Sequence, residues 1–203
     1  MTERGLLIVI SGPSGVGKDT VLRHFFSVRT DCVVSISATT RAPRPGEQNG
    51  QDYFFISRGE FESRVAQGQM LEHAEYNGNY YGTPKDAVEQ LLAQGKNVIL
   101  EIEVQGALKV REKCPEAVFV FLGPPSWEVL CERLKGRGTE TAEVIAARLE
   151  TAKFEFQYAN RYDYILINTT IEETSQKLDA VITAAASSTK NMKDYLQEVC
   201  THA

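Results

Sequence analysis

The chain has 203 residues, 42% hydrophobic and 24% charged, which is enough for one sizeable core and excludes wholesale disorder. A formal net charge of −5 excludes a general nucleic-acid platform, so any bound anion must be held by a local basic cluster. Cys32, Cys114, Cys131 and Cys200 are scattered without a C-x-x-C pair, and the N-terminus carries neither a signal pattern nor a spanning apolar run. The expectation is a cytoplasmic protein with free thiols and no membrane partner.

In chain order, Leu6–Ser11 is a short, nearly continuous apolar run of the kind that forms a strand covered on both faces. Lys18–Val28 follows with Val21, Leu22, Phe25, Phe26 and Val28 at helical spacing. From Val33 to Pro84 the pattern changes to Tyr53–Ile56, Leu71–Tyr76 and Tyr80–Tyr81, broken by Pro-Gly and Asn-Gly turns, with one helix over Arg58–Gln67. Buried-type strands resume at Asn97–Ile102, Ala117–Leu122 and Tyr164–Asn168. Between the last two lies a charged helical stretch, Ser126–Ala159, in which Ser126 and Thr141 are N-cap candidates. A helix runs from Thr174. Strand–helix alternation predicts an α/β fold with a parallel sheet flanked by helices, carrying a small β-rich insertion and a helical one.

The first strand leads into Gly12-Pro13-Ser14-Gly15-Val16-Gly17-Lys18-Asp19-Thr20. Gly12, Gly17 and Lys18 fit the phosphate-loop spacing G-x-x-x-x-G-K-[ST], apart from Asp19 in the last slot. Glycines let backbone N–H groups converge on phosphate oxygens, a helix N-terminus adds a favourable dipole, and a lysine supplies a point charge. The competing account is a glycine-rich turn that merely caps a helix, but the flanking strand and helix are the context the motif needs. A hydroxyl after the lysine normally ligates Mg²⁺. Asp19 is a hard-cation ligand welcome in a first helical turn, and Thr20 offers a hydroxyl one position later.

Residues 35–53 hold Arg41 and Arg44 in a loop stiffened by Pro43 and Pro45, which bias Ala42 and Arg44 toward extended conformations. Two preorganised guanidiniums suit a second phosphate group, against the alternative of two solvated loop arginines.

The segments GPSGVGKDT, SATTRAPRPGEQNGQDYFF, LEHAEYNGNYYGTP, ILEIEVQGA, FLGPP and RLKGRGTE occur in one order, and through them the chain resembles the guanylate kinase family of ATP:GMP phosphotransferases over nearly its whole length. The resemblance implies a P-loop core (1–35, 91–125 and 160–203), a GMP-binding subdomain (36–90) and a helical lid (126–159). It implies that Arg41, Arg44, Tyr53 and Tyr81 hold the GMP phosphate and that Glu47 steadies the arginine loop. Ser37, Glu72, Thr83 and Glu103 would face guanine. The whole loop from Gly12 to Thr20 would hold ATP, joined from the lid by Arg133, Arg137 and Arg148, with Lys18, Arg41, Arg137 and Arg148 catalytic. Mg²⁺ would accompany ATP, with Asp19 and Glu101 as ligands directly or through water.

Two departures mark this chain: Asp19 stands where the family usually has Ser or a small residue, and Glu101 and Glu103 stand where Asp is usual. Asn168, at the end of the last strand, is a candidate for the adenine side. The chemistry of the base agrees with the resemblance. Guanine presents N1–H and an amino group along one edge, both of which an ionised carboxylate accepts, whereas adenine offers an acceptor.

The implied reaction is ATP + GMP giving ADP + GDP, with no nucleic-acid partner and a monomer or homodimer as assembly. Two other functions compete. One is a non-catalytic guanylate kinase-like module that binds phosphopeptides, disfavoured by the retained Gly12, Gly15, Gly17 and Lys18. The other is a kinase for a different nucleoside monophosphate, disfavoured by Ser37 and Glu72.

Overall fold

The computed structural model describes residues 4–136 and 141–201. In chain order it runs β1 (Leu7–Ser11), α1 (Lys18–Val28), β2 (Cys32–Val34), β3 (Ala38–Thr39), β4 (Phe54–Phe55), α2 (Arg58–Ala66), β5 (Met70–Tyr76), β6 (Asn79–Pro84) and α3 (Lys85–Ala93). It continues with β7 (Asn97–Glu101), α4 (Val104–Lys113), β8 (Val118–Gly123), α5 (Trp127–Lys135), α6 (Ala142–Phe156), a 3-10 turn (Ala159–Arg161), β9 (Tyr164–Ile167), α7 (Ile171–Ala186) and α8 (Lys193–Thr201). Two compact units emerge: Met1–Leu7 with Asp31–Ala117, and Ile8–Thr30 with Val118–Ala203.

The second unit is a parallel α/β arrangement. β8 pairs with β1 (Ile8 opposite Val118, Ile10 opposite Val120) and with β9 (Val120 opposite Tyr164), all parallel. β1 and β8 are buried throughout, as their continuous apolar runs require. β9 departs from that pattern: only Leu166 is buried, while Tyr164, Ile165 and Ile167 are exposed. Strand identity survives on β-branched content and pairing to β8, while the burial expected on both faces does not. α1 packs on α7. α5 and α6 have a small core of their own, Leu130, Leu134 and Ala152, edged by Trp127, Ile145, Leu149 and Phe156. Ser126 and Thr141 cap these two helices, accepting from the backbone N–H of Val129 and Val144. Thr170 does the same for α7, which therefore starts at Ile171, ahead of the expected Thr174.

The first unit carries the parallel pair β2–β7 (Val33 opposite Val98) and a four-stranded mixed sheet ordered β4-β3-β6-β5. In that sheet β3 runs parallel to β4, while β6 runs antiparallel to both β3 and β5. The β5–β6 hairpin closes through Asn77 (φ 49°) and Gly78 (φ 74°), the two left-handed residues of the turn that Asn-Gly encodes. Phe61 of α2 packs with Ala38 and Met70 beneath Phe54, Ile56, Val65 and Tyr80.

Helices α3 and α4 have no counterpart among the sequence expectations. α4 has only Val104, Gly106, Ala107 and Val110 buried, too thin an apolar stripe to stand out from its charged remainder.

Candidate nucleotide sites

In the second unit the chain leaves β1 at Ser11 and enters α1 at Lys18, with Gly17 as N-cap. Gly17 sits at φ 96°, and a Cβ on it would lie 2.7 Å from the Asn168 side-chain nitrogen, so both conformation and space demand glycine. No side chain caps α1. Its first N–H groups therefore remain available as anion donors.

The loop backbone is braced by side chains from distant segments of its own unit. The Val16 carbonyl accepts from Asn168 Nδ2 at 2.7 Å and from an Arg133 guanidinium N–H at 3.0 Å. Arg133 also donates to the Asn168 carbonyl at 3.2 Å. Asn168 is buried, its Oδ1 lying 3.1 Å from the Thr174 hydroxyl. Asn168, expected on the adenine side, thus has one side-chain N–H and its Oδ1 engaged in bracing the loop. Arg148 donates to Ser14 Oγ at 2.8 Å, so Arg133 and Arg148 both touch the loop itself. Lys18 Nζ donates to the Gly12 carbonyl at 2.6 Å, closing a ring across the loop. Asp19 and Thr20 are exposed on the first turn of α1. Arg137 lies outside the described residues.

In the first unit a cavity of about 190 Å³ opens among Val34–Ser37, Gln51–Tyr53, Thr83 and Leu100–Ile102. Three expected residues, Ser37, Tyr53 and Thr83, line it, and so does Glu101. Glu72 sits behind Thr83, buried, with its Oε1 accepting the Thr83 hydroxyl at 2.7 Å. The β5–β6 register shifts between Met70 and His73, the span that contains Glu72. Such irregularities re-aim side chains. Burial pushes the Glu72 carboxyl above the ordinary carboxylate range, opposed by the Thr83 hydrogen bond and by the charges of Lys109 and Lys113.

Arg41 is fixed beside this cavity by a two-pronged ion pair with Glu47, at 2.8 and 3.0 Å. Glu47 also accepts the Arg44 backbone N–H at 2.7 Å, so it clamps both ends of the proline-stiffened loop. Arg41 lowers the Glu47 carboxyl below its ordinary range, helped by that Arg44 N–H. The guanidinium lies 5.5 Å from the Tyr53 ring centre and 5.7 Å from that of Phe55, and Tyr53 meets Tyr81 edge-on at 6.0 Å. Tyr53 thus joins the arginine cluster to the cavity wall. Arg44 projects exposed from the loop.

Glu103 is not on the strand that carries Glu101, because β7 ends at Glu101 and Glu103 is the exposed N-cap of α4. The cavity also recruits Ser35, Gln51 and Asp52, which sequence reasoning passed over. Ser35 Oγ is buried without a hydrogen-bond partner. Its only signal was the alternation with Ser37 in Ser35-Ile36-Ser37, while Gln51 and Asp52 sit in an irregular loop with no period to read. Among the described residues no group of three or more His, Cys, Asp or Glu is arranged to hold a metal, and no helix is long and apolar enough to cross a membrane.

A glycine-rich loop between a buried parallel strand and an uncapped helix N-terminus, with the first lysine of that helix reaching back across the loop, defines an α/β P-loop kinase. The family model for guanylate kinase matches residues 4–185. A guanylate kinase of Lactococcus lactis subsp. lactis (strain IL1403) is 56% identical over 184 residues, covering 91% of this chain and 90% of the relative. One of Bacillus subtilis (strain 168) is 55% identical over 185 residues, 91% of each chain. The crystal structure of guanylate kinase from Anaplasma phagocytophilum superposes with a TM-score of 0.70 at 36% identity, covering 93% of this chain and 90% of that one. The chain belongs to the guanylate kinase family.

Proposed function

We infer that this chain catalyses the reaction of its family, reversible transfer of the ATP γ-phosphoryl group to GMP, giving ADP and GDP. The observation that carries the choice of acceptor is the buried Glu72 carboxylate joined to Thr83 at the wall of the first-unit cavity. An acceptor-only group in a desolvated place recognises a donor edge, and guanine presents two donors there. The cavity is smaller than the roughly 300–1,000 Å³ of sites that enclose drug-sized ligands. It suits the base, with Ser37 and Thr83 as hydroxyl partners, while the GMP phosphate extends to Arg41, Arg44, Tyr53 and Tyr81. Glu47 keeps the arginine loop in one conformation before substrate arrives, which reduces the ordering cost of binding.

On the other unit, the loop from Gly12 to Thr20 cradles the ATP phosphates with its N–H groups and the N-terminus of α1. Lys18 exchanges the Gly12 carbonyl for the β- and γ-phosphates, a move that costs one neutral acceptor and gains a charged one. Arg133 and Arg148 hold the loop in register, and Arg148 together with Arg137 meets charge that develops on the transferring group. The acceptor oxygen is already anionic, so positioning and charge neutralisation suffice and no general base is needed. Glu103, the exposed N-cap of α4, is the second carboxylate we assign to the base.

Mg²⁺ favours oxygen ligands and is held at such sites by one or two carboxylates plus phosphates. The exposed Asp19 carboxylate and Thr20 hydroxyl at the start of α1 are hard-oxygen donors of the kind it takes, and Glu101 of the first unit is a further candidate carboxylate. Bound there with ATP, it would neutralise phosphate charge.

The buried thiols of Cys32 and Cys114 suit a reducing compartment such as the cytoplasm. ADP formation measured side by side with GMP, AMP, CMP and UMP tests the assignment. GMP should exceed each of the others by at least about a hundredfold in kcat/KM, and parity with AMP would overturn it.

A further inference from the structure

β5 and α4, both in the first unit, meet along a seam made by three α4 residues. Gly106, Lys109 and Lys113 follow the i, i+3, i+7 spacing that places them on one helix face. Lys109 Nζ donates to the His73 carbonyl at 2.7 Å and Lys113 Nζ to the Met70 carbonyl at 2.8 Å. These two anchors fall on either side of Glu72 in β5. They tie the helix to the segment of strand where the register with β6 shifts.

Gly106 is the third residue of α4, in ordinary helical backbone, so its conformation does not require glycine. Alanine there would favour the helix. What glycine provides is space. A Cβ at Gly106 would lie 3.1 Å from Glu72 Oε2 and 3.5 Å from its Cδ and Cγ, and these are its three nearest neighbours. Glu72 has little room to retreat, because its residue is 7% exposed and its other oxygen is held by Thr83 at 2.7 Å. The carboxylate therefore rests against the first turn of a helix, where the dipole favours negative charge.

We propose that Gly106 is a positioning residue for base recognition: its missing side chain is the slot that seats the Glu72 carboxylate, and α4, pinned to β5 by Lys109 and Lys113, sets the depth of that slot. The proposal rests on the reading of Glu72 as the acceptor for guanine. It makes selectivity for the 2-amino group depend on a residue that never touches substrate. A few tenths of an ångström of displacement at Glu72 lengthens both bonds to guanine but only one to hypoxanthine, which lacks that amino group.

The test uses the full-length chain, with kcat/KM for GMP and for IMP, the KM for ATP and the thermal midpoint measured for four variants beside the parent. For Gly106→Ala we expect a midpoint within a few degrees of the parent's, the helix gain and the contact with Glu72 opposing each other, and an ATP KM within about twofold. The GMP kcat/KM should fall about tenfold and the GMP/IMP ratio at least about threefold. In a Glu72→Asp background, whose shorter side chain leaves the slot open, adding Gly106→Ala should change the ratio by less than about twofold.

Glu72→Gln separates the layers of the argument. If it collapses the ratio while Gly106→Ala leaves it unchanged, the slot is refuted and the guanine role of Glu72 stands. If Glu72→Gln itself leaves the ratio unchanged, the guanine role falls and the slot with it. A Gly106→Ala chain that fails to fold but is restored by Glu72→Asp supports the slot. One that is not restored, or that loses GMP, IMP and ATP use in equal measure, overturns it.

Discussion

In the proposed function the glycine-rich loop and the first-unit cavity solve the same problem, holding part of a nucleotide, by opposite means. The loop uses backbone: consecutive N–H groups, glycines where a side chain would collide, and an uncapped helix start, all within Gly12–Thr20. The cavity uses side chains gathered from β2, β6 and β7 and from the loops beside them, with Glu72 of β5 behind. A backbone site tolerates many side chains provided glycines and one lysine remain. A side-chain site fails when a single functional group changes. Even so, the loop is not self-sufficient, because Asn168 and Arg133 converge on its Val16 carbonyl from far along the chain.

If that contrast holds, the largest single effect belongs to the cavity. Glu72→Gln keeps one acceptor but turns an N–H₂ toward a guanine donor. A lost charge-assisted bond of about 1.5–3 kcal/mol and an unsatisfied partner costing roughly 1–3 kcal/mol predict a fall of about 10²–10⁴ in kcat/KM for GMP. The GMP/IMP ratio falls with it and ATP affinity hardly moves; steady-state assays with both acceptors decide.

The same residue predicts a pH dependence. If guanine is recognised by the ionised carboxylate, whose pKa burial has raised, kcat/KM for GMP should drop in acid beginning above the ordinary carboxylate range. The fold responds in the reverse sense. Protonated Glu72 is the favoured buried form, so its stability contribution is full below the unfolded-state pKa and is lost as pH rises through the raised folded value. Glu72→Gln should remove the part of the acid limb due to this group in a pH–rate profile.

Lys18→Met probes the loop by its one indispensable side chain. Turnover should fall about 10²–10³, the scale of removing one charge-stabilising donor, while the thermal midpoint stays near the parent's because only the Gly12 carbonyl loses a partner. Turnover within about tenfold of the parent would take Lys18 out of the reaction.

Asn168→Ala tests whether the loop needs its brace. The Val16 carbonyl keeps Arg133 but loses the shorter of its two bonds, and Thr174 loses a buried partner. A stability loss of about 1–3 kcal/mol and an ATP KM raised about tenfold are expected, read by thermal denaturation and by ATP titration. A changed preference between ATP and GTP would instead restore Asn168 to the base.

The smallest effect is assigned to Asp19. Asp19→Ala should raise the Mg²⁺ concentration needed for half-maximal rate a few-fold, and Asp19→Ser should restore it. An unchanged Mg²⁺ titration would leave Asp19 as a first-turn helix carboxylate and nothing more.

Sequence by itself determined the parallel α/β class, the strand–loop–helix of residues 7–28, the capped helices α5 and α6, and the Asn-Gly hairpin. Each of these is written in neighbouring residues: an apolar period, a glycine spacing, a cap, a turn dipeptide. Local pattern could also name Arg41 and Arg44, on a loop stiffened by two prolines, while Glu47 entered through the family resemblance and is found paired with Arg41.

Tertiary structure alone decided what depends on meetings between distant residues. It placed Thr83 eleven positions from its partner Glu72, and it spent the Asn168 amide on a carbonyl 152 residues away. It made Glu103 the cap of α4, a helix whose weak stripe gave no warning, and turned Gly106 from a poor helix former into a space beside a carboxylate. Burial, and the direction in which a buried group points, are properties of the packed whole. No periodicity in the chain encodes them, which is why the shape of the base pocket had to be read from the fold.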